Sequence, residues 1–187
     1  MAPEMRNWSG YQTAKRDLIR TLSGTVLEIG AGSGANFADL PDHVEWIGLE
    51  PNRRARARLT RTAAGRRVLA AGAEEIPLPA ASVDGVLSTV VLCSVGNLPA
   101  TLQELRRVLR PGGRFVFVEH VAAPRGTWTH RLQVAATPFT RRLDRGCNPA
   151  RDIATAIQNA GFTTIELEHY TMPGLIPIPF IAGAATN

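Results

Sequence analysis

The sequence has little cysteine and no long uninterrupted hydrophobic run. Only two cysteines, Cys93 and Cys147, occur among 187 residues, which excludes a disulfide framework and fits a reducing compartment. The longest apolar run, residues 174–185, is interrupted by two prolines and is too short to span a bilayer. Residues 1–9 have no apolar core, so we expect no signal peptide. These absences predict a cytoplasmic protein without an integral membrane anchor.

Lysine is nearly absent, and arginine supplies the positive charge. Lys15 is the only lysine, and the formal net charge is +5. Seven arginines lie between residues 53 and 67. Such a cluster suits an anionic partner such as nucleic acid or a lipid surface. However, no aromatic residues are interleaved and no nucleic-acid motif is present. We therefore interpret the cluster as the solvated outer face of a helix and expect no nucleic-acid partner.

A glycine-rich turn follows an apolar, strand-like run at residues 25–29, and Gly30, Gly32 and Gly34 punctuate it. Glycine has no Cβ, so the backbone can turn sharply and a ligand can approach it closely. This device cradles nucleotides in doubly wound α/β folds. Gly30, Gly32 and Ala35 also satisfy the dinucleotide pattern G-x-G-x-x-G/A, so the turn alone does not identify the ligand.

Two acidic residues favour S-adenosylmethionine over a dinucleotide. Glu28 lies on the strand itself, where a carboxylate would be unfavourable beside a pyrophosphate but suits a cationic amino-acid tail. Glu50 ends the next strand-like run, and an acid there suits a ribose diol. S-adenosylmethionine joins a ribose to such a tail. We predict it as the cofactor, with S-adenosylhomocysteine as the product; a nicotinamide cofactor is the alternative.

Strand patterns alternate with helical patterns along the chain. The predicted strands are residues 25–30, 44–50, 67–71, 83–92, 114–119, 163–171 and 175–185, and the predicted helices are residues 5–22, 35–40, 53–64, 98–110 and 149–160. The last helix has Asn148 as its cap and Pro149 as its first residue, and residues 124–147 are irregular or helical. Because only a short turn separates the final two strands, they should be antiparallel. This order predicts one α/β domain over residues 1–187, with a mostly parallel, Rossmann-like sheet.

The order of the motifs resembles class I S-adenosylmethionine-dependent methyltransferases. The motifs are the glycine turn, Glu50, an acidic loop at residues 72–79, and the LRRVLRPGG run at residues 105–113. A closer resemblance, over about residues 15–187, is to the thiol S-methyltransferases of the methyltransferase-like seven group. It rests on residues 92–95 (LCSV), 119–123 (EHVAA), 127–128 (TW) and 146–148 (GCN). The chain departs from that group in lacking its hydrophobic N-terminal anchor, and in carrying Arg145 and Pro149-Ala150.

This resemblance implies a seven-stranded methyltransferase sheet and a set of cofactor-binding residues. These are Glu28, Gly30, Ala31, Gly32, Asn36, Glu50, Pro51, Ala73, Glu74, Val91, Leu92 and Cys93. Glu28 is implied near the methionine ammonium, Glu50 at the ribose, Ala73 and Glu74 at the adenine, and residues 91–93 beside the methyl-bearing sulfur. Many relatives carry an aspartate for the adenine amine where this chain has Gly72, so that contact is missing or comes from Glu74. Residues 1–24 are expected to form a helical lid, with Trp8 and Tyr11 as candidates for the substrate entrance. Residues 122–147 are expected to face the substrate.

Methyl transfer from a sulfonium is an in-line displacement with an activated donor, so the protein mainly positions and desolvates the reactants. A thiol acceptor has a pKa of about 8.5, so a few per cent is already thiolate at neutral pH. His120 could take the thiol proton or bind the thiolate, or it could instead hydrogen-bond a loop backbone. Asp144 could orient this histidine or be a surface acid. We predict both as catalytic residues. Cys93 and Cys147 lack a C-x-x-C spacing, so we predict buried thiols and no metal.

The predicted function is transfer of a methyl group to a small-molecule acceptor, with the thiol of a small, fairly apolar molecule as the leading candidate. The alternatives are O-, N- or C-methylation of a natural product, quinone or lipid, a nucleotide-binding oxidoreductase module, and a regulatory protein that binds the cofactor without turnover. A role in natural product biosynthesis fits a small-molecule acceptor. We expect a monomer or dimer.

Overall fold

The computed structural model describes residues 5–7 and 10–187. Eight strands lie in this part of the chain: β1 (Met5–Asn7), β2 (Thr25–Ile29), β3 (Glu45–Leu49), β4 (Arg67–Leu69), β5 (Val83–Thr89), β6 (Leu109–His120), β7 (Thr164–Met172) and β8 (Ile178–Thr186). The helices of the same part are α1 (Tyr11–Arg20), α2 (Arg53–Thr62), α3 (Leu98–Val108), α4 (Trp128–Leu143) and α5 (Ile153–Gln158). Each of the described helices is too short or too polar to span a bilayer.

The strands form one sheet in the order β1-β7-β8-β6-β5-β2-β3-β4. Strands β2 to β6 pair in parallel, whereas β8 pairs antiparallel to both β6 and β7. The predicted seven-stranded sheet with its antiparallel hairpin is therefore confirmed, and the short strand β1 extends it by one edge strand parallel to β7. From β2 the chain moves to β3 on one side and later to β5 on the other. Ligands of such sheets bind at this switch point, outside the carboxyl ends of the strands.

Alternate residues of the central strands point to opposite faces and bury two layers of side chains. On one face, Val116 of β6 packs with Ile19 and Leu22 from α1 and the turn after it. On the other face, Phe115 and Phe117 pack with apolar residues of α3 and α5. Because both faces are covered, the strands read as nearly continuous apolar runs in the sequence.

Two predicted helices near the N-terminus are wrong in part. Residues 5–7 form strand β1, so the helix predicted over residues 5–22 begins only at Tyr11; Trp8 lies outside the described residues. The helix predicted at residues 35–40 is replaced by consecutive turns. The reason lies in Asn36, whose side-chain amide donates to Glu28 and Thr89 and ties this segment to the sheet.

For the later part of the chain, one prediction is confirmed in its helical alternative and another is wrong at its start. Residues 128–143, expected to be irregular or helical, form one 16-residue helix that accommodates Pro138. The helix predicted over residues 149–160 begins only at Ile153, and Asp152 caps it by accepting from Thr155 N. Asn148 is not its cap, because the helix begins only at Ile153 and the side-chain oxygen of Asn148 accepts from Ala150 N at 3.1 Å. Its backbone N–H donates to the carbonyl of Cys93 at 2.9 Å and attaches this loop to the one after β5.

Candidate active site

A cleft formed by two adjoining cavities, of about 470 and 500 Å³, lies at the carboxyl ends of β2, β3 and β5. Gly30, Asn52, Val90 and Arg145 border both cavities. Of the predicted cofactor residues, Glu28, Gly30, Ala31, Gly32 and Asn36 line the first cavity, and Gly30, Glu50, Pro51, Ala73, Glu74 and Val91 line the second. Leu92 and Cys93 are buried and are not among the described lining residues. The structure thus brings together most of the set that the sequence singled out.

The glycine turn has the backbone conformation that its sequence suggested. Gly30 and Gly32 have φ angles of +55° and +58°, in the left-handed region that favours glycine. A Cβ at Gly30 would lie 2.6 Å from a methyl of Val91. A Cβ at Gly32 would meet nothing closer than a carbonyl oxygen at 3.8 Å, so the space above this residue is open to a ligand.

Glu28 lies beneath the turn and is almost completely buried. Its carboxylate accepts from Asn36 Nδ2 at 2.8 Å and from Trp46 Nε1 at 2.7 Å. Burial raises the pKa of Glu28, and the two hydrogen bonds oppose that rise. Asn36 Oδ1 is also buried, and it has no hydrogen-bond partner among the described residues. A buried unpaired acceptor is costly, so this oxygen fits an N–H donor from a ligand, such as the ammonium of S-adenosylmethionine.

Glu50 fastens the glycine turn to the end of β3. One carboxylate oxygen accepts from Gly32 N at 2.9 Å and the other accepts from Asn52 N at 2.8 Å. Because each carboxylate oxygen has a second lone pair, Glu50 can hold the turn and still accept hydrogen bonds from a ribose diol.

Glu74 occupies the space beside Gly72. Its Oε1 accepts from Gly96 N at 2.6 Å, and a Cβ placed on Gly72 would lie 2.8 Å from its Oε2. The glutamate carboxylate thus lies where an aspartate side chain at position 72 would begin. This geometry fits a Glu74 that supplies the adenine contact in place of the missing aspartate.

Several cleft residues were not predicted from the sequence. Val90 and Arg145 line both cavities with φ angles of +55° and +48°. Positive φ is a rare and strained conformation for a β-branched residue, and such strain clusters at functional sites. No pattern in the sequence reveals it. Arg54 and Arg58 of α2 line the first cavity, so the arginine-rich helix is not only a solvated face.

Glu119 supports the strained segment from below and was also missed. It is completely buried, and it accepts from Ser88 Oγ at 2.5 Å and from the N–H groups of Val91 and Leu92. Burial raises its pKa to about 7, although these hydrogen bonds favour the charged form. The one sequence signal for a role of Glu119 is its position beside His120, at the end of a buried strand.

The predicted catalytic residues lie apart from the two cavities. His120 ends β6 and is 9% exposed, and its Nε2 lies 3.4 Å from Cys147 Sγ. Burial lowers the pKa of His120, and the charge of Asp144 opposes that shift. Asp144 itself is exposed and shares no hydrogen bond with His120, both being described residues. Neither side chain is among the described residues that line the two cavities.

Cys93 and Cys147 are both buried free thiols. Burial raises the pKa of each thiol. Together with His120 they form a cluster whose three ligand atoms all lie within 4.8 Å of one another. The sequence could not reveal this cluster, because its members are far apart along the chain and meet only where the loops after β5 and α4 pack against the end of β6.

Comparisons with known proteins agree with this geometry. Residues 27–117 match the family model described as a methyltransferase domain. The chain is 38% identical to the human thiol S-methyltransferase TMT1A over 156 residues, which cover 80% of this chain and 64% of that protein. It is 36% identical to human thiol S-methyltransferase TMT1B over 193 residues, which cover 94% of this chain and 79% of that protein.

A solved structure from Thermotoga maritima shares the fold. That protein is described as an S-adenosylmethionine-dependent methyltransferase and possible histamine N-methyltransferase, and it matches with a TM-score of 0.65 at 20% identity, over 93% of this chain and 88% of that one. The family and the fold together imply S-adenosylmethionine as the cofactor. The chain belongs to the S-adenosylmethionine-dependent methyltransferases, in the family that includes TMT1A and TMT1B.

Proposed function

We propose that this enzyme methylates the thiol of a small, fairly apolar molecule. One observation carries the proposal: three of the segments that mark the resemblance to thiol S-methyltransferases converge at one place. Residues 92–95, 119–123 and 146–148 meet at the cluster of Cys93, His120 and Cys147. Cys93 directly precedes Ser94, which lines the second cavity together with Val91, so the cluster adjoins that cavity in the chain. Asn148 N donates to the carbonyl of Cys93 and joins the third segment to it.

The cleft fits the cofactor residue by residue. Asn36 and the turn at Gly30 and Gly32 would hold its amino-acid part, Glu50 its ribose, and Glu74 its adenine. When bound there, the cofactor supplies a methyl group on a sulfonium. The apolar wall at Val91 excludes water from that end, and positioning of the two reactants provides most of the rate acceleration.

His120 is the polar group at the acceptor end that favours the thiolate, either by taking the thiol proton or by holding the thiolate. Asp144 would act on it only through space, since its carboxylate is exposed. The substrate-facing role of residues 122–147 is supported by α4, which leaves Trp128, Leu132, Val134, Phe139 and Leu143 exposed. This helix is attached to the acceptor end, because Thr140 Oγ1 donates to the carbonyl of Cys147 at 2.9 Å.

Helix α1 packs on the sheet through Ile19, and none of its residues is among those that line the two cavities. The lid expected of residues 1–24 therefore stays a prediction. We further propose a cytoplasmic compartment, a monomer or dimer, and no nucleic-acid partner.

A screen of thiols, phenols and amines with methyl-labelled cofactor tests the acceptor class. We expect transfer to one or more apolar thiols and much slower transfer to phenols and amines. Methylation of a phenol or amine far faster than that of every thiol would overturn the thiol assignment and leave an O- or N-methyltransferase. Cofactor binding without transfer to any acceptor would favour a regulatory role.

Substitution of His120→Ala should lower turnover with the best thiol by ~10²-fold or more, the range for a positioned acid–base group. Cofactor affinity should change little, because His120 does not line the two cavities. The loss should shrink as the pH rises above ~8.5, because the substrate thiol then ionises in solvent without help. The matched control is His43→Ala, at an exposed histidine that precedes β3, whereas the cleft lies at the other end of that strand. A loss that does not depend on pH, or an unfolded variant, would indicate a structural histidine.

A further inference from the structure

The cluster of Cys93, His120 and Cys147 has the composition of a metal site. It offers two thiols and one imidazole, all buried, with the three ligand atoms within 4.8 Å of one another. In a tetrahedral zinc site, Zn–S bonds of about 2.3 Å and Zn–N bonds of about 2.0–2.1 Å separate a sulfur from a nitrogen ligand by about 3.6 Å. The observed distance between Cys147 Sγ and His120 Nε2 is 3.4 Å. This pair of ligand atoms therefore already has nearly the spacing of a zinc site, and Cys93 Sγ lies within 4.8 Å of both.

We propose that Cys93, His120 and Cys147 bind one zinc ion. Two sulfur ligands and an imidazole nitrogen suit zinc rather than magnesium or calcium, which prefer oxygen ligands. Both thiols would lose their protons to solvent when the ion binds, and the two thiolates would balance its charge. Three protein ligands leave one tetrahedral position open, which is the arrangement of catalytic zinc sites.

The surrounding contacts hold the ligands in place. Asn148 N donates to the carbonyl of Cys93, and Thr140 Oγ1 donates to the carbonyl of Cys147. Arg151 Nη1 donates to the carbonyls of Leu92 and Val95, on either side of Cys93. Such outer contacts orient metal ligands and are usual around protein metal sites.

Neither of the neighbouring acids joins this ligand set. Glu119 is adjacent to His120 in the sequence, but its oxygens are already engaged by Ser88, Val91 and Leu92. The side chain of Asp144 is exposed and acts on His120 and Cys147 through its charge. The fourth position is therefore left for water or for an added ligand.

If the proposed thiol methylation is correct, the acceptor thiol takes this fourth position. The thiol proton then leaves to solvent and a zinc–sulfur bond forms. The sulfur electron pair next forms the new carbon–sulfur bond while the methyl bond to the donor sulfonium breaks. The products are a neutral thioether and S-adenosylhomocysteine, and the thioether leaves because it is a much weaker ligand than a thiolate. His120 would thus favour the thiolate through the metal.

Metal analysis of the wild-type protein tests the site itself. The protein should be untagged and kept reduced with a phosphine, so that neither a tag nor a buffer thiol can bind the ion. We expect about one zinc per chain after dialysis against zinc and then against metal-free buffer. Cobalt added to the metal-free protein should give the visible bands of a tetrahedral site and a thiolate-to-cobalt charge-transfer band. A wild-type protein that retains no zinc and shows no thiolate charge transfer overturns the proposal.

Variants assign the ligands. Cys147→Ser and His120→Ala should each lower the retained zinc at least tenfold, whereas His43→Ala should retain the wild-type amount. Zinc content unchanged in Cys147→Ser would overturn the assignment. If Cys147→Ser fails to fold, the cobalt spectrum of the wild-type protein still shows whether a cysteine binds the metal, because only a sulfur ligand gives the charge-transfer band.

The cobalt form also separates this inference from the proposed function. A thiol substrate that enters the open position should shift the visible cobalt bands, whereas a phenol of similar shape should not. Cobalt bound by the cluster without any shift on adding the thiol would overturn thiol coordination and leave a purely structural metal. Zinc at one per chain, together with no thiol methylation in the acceptor screen, would overturn the proposed function while the metal site stands.

Discussion

Three acidic side chains are buried at the carboxyl edge of the sheet, and each fixes a different part of the cleft. Glu28 holds the side chains of Asn36 and Trp46, Glu50 holds the glycine turn through Gly32 N, and Glu119 holds the segment after β5. Burial raises the pKa values of Glu28 and Glu119, and the hydrogen bonds from their neutral partners oppose that rise. We infer that they pre-organise the cleft in addition to making direct contacts.

Substitution of Glu50→Ala should weaken cofactor binding by ~1–3 kcal/mol, the range for leaving hydrogen-bond groups unpaired. It removes the acceptor for the ribose and also frees Gly32 N and Asn52 N, so the glycine turn loosens. Calorimetry with S-adenosylmethionine and S-adenosylhomocysteine measures the loss. Glu45→Gln is the control, since Glu45 is an exposed acid at the start of the same strand. Equal binding by wild type and Glu50→Ala would contradict the assigned role.

At the residue scale, the sequence predicted the cleft residues whose positions in the chain are tied to the glycine turn and its neighbouring strands. Glu28 was found because it lies on the strand that leads into that turn, and Glu50 because it directly follows the next strand. The cluster of Cys93, His120 and Cys147 was not found, because it depends on how the loops after β5 and α4 pack against the end of β6. Arg145 was noted only as a departure from the family pattern, and its place over the cleft depends on a positive φ that no composition rule reveals.

At the scale of elements, helix α3 holds the loop that borders the adenine end of the cleft. Arg107 donates to the carbonyls of Ile76 and Leu78, each at 2.9 Å, and Glu104 accepts from Ile76 N at 2.9 Å. Glu104 and Arg107 are also paired with each other. The LRRVLRPGG run, which marked the family in the sequence, thus has a physical role: part of it positions the loop that carries Glu74.

Substitution of Glu104→Gln should lower the free energy of unfolding at pH 7 by about 1 kcal/mol or less, because the pair with Arg107 is partly exposed. Hydrogen bonds from Arg107 lower the pKa of Glu104 in the folded chain below its ordinary value. A carboxyl whose folded pKa is depressed stabilises the protein above its unfolded pKa of about 4.3, and that contribution is lost as the pH falls through the folded pKa. Denaturant unfolding should therefore show that the difference in free energy of unfolding between the wild type and Glu104→Gln is smaller at about pH 3 than at pH 7. Glu75→Gln, at an exposed neighbouring acid, is the control, and a difference that grows with acid would contradict this assignment.

The strands were predictable because they are buried on both faces of the sheet and their sequences are therefore nearly all apolar. The switch point follows from the order of the strands in the sheet. The helix ends were less predictable, because residues that commonly cap helices serve other contacts here. Asn148 resembles a cap in the sequence but bonds the loop at Cys93, and Asn36 bonds Glu28 and Thr89 where a helix was expected. Both exceptions lie beside the cleft, where tertiary contacts outweigh local preference.

At the scale of the whole molecule, the cleft concentrates features that cost stability. Val90 has a strained backbone, Asn36 Oδ1 is buried without a partner among the described residues, and Glu28 and Glu119 are buried acids whose pKa values burial raises. Functional sites commonly carry such costs, and a ligand that satisfies them stabilises the folded state. Binding of the cofactor should therefore raise the free energy of unfolding of the entire domain.

S-adenosylmethionine or S-adenosylhomocysteine at about 100 times its dissociation constant should add ~2.7 kcal/mol to the free energy of unfolding. For a domain of this size, each kcal/mol raises Tm by about 2–4 °C, so Tm should rise by roughly 5–11 °C. NAD at the same concentration should leave Tm unchanged, because the charge of Glu28 beneath the turn disfavours a pyrophosphate. Glu50→Ala should need more cofactor to reach the same shift, since ligand stabilisation follows its affinity for the folded state. Thermal unfolding followed by circular dichroism measures Tm with the cofactor, with NAD and for the Glu50→Ala variant. A rise in Tm with NAD, or none with a saturating methyl donor, would mean that the acids around the glycine turn do not select S-adenosylmethionine over NAD.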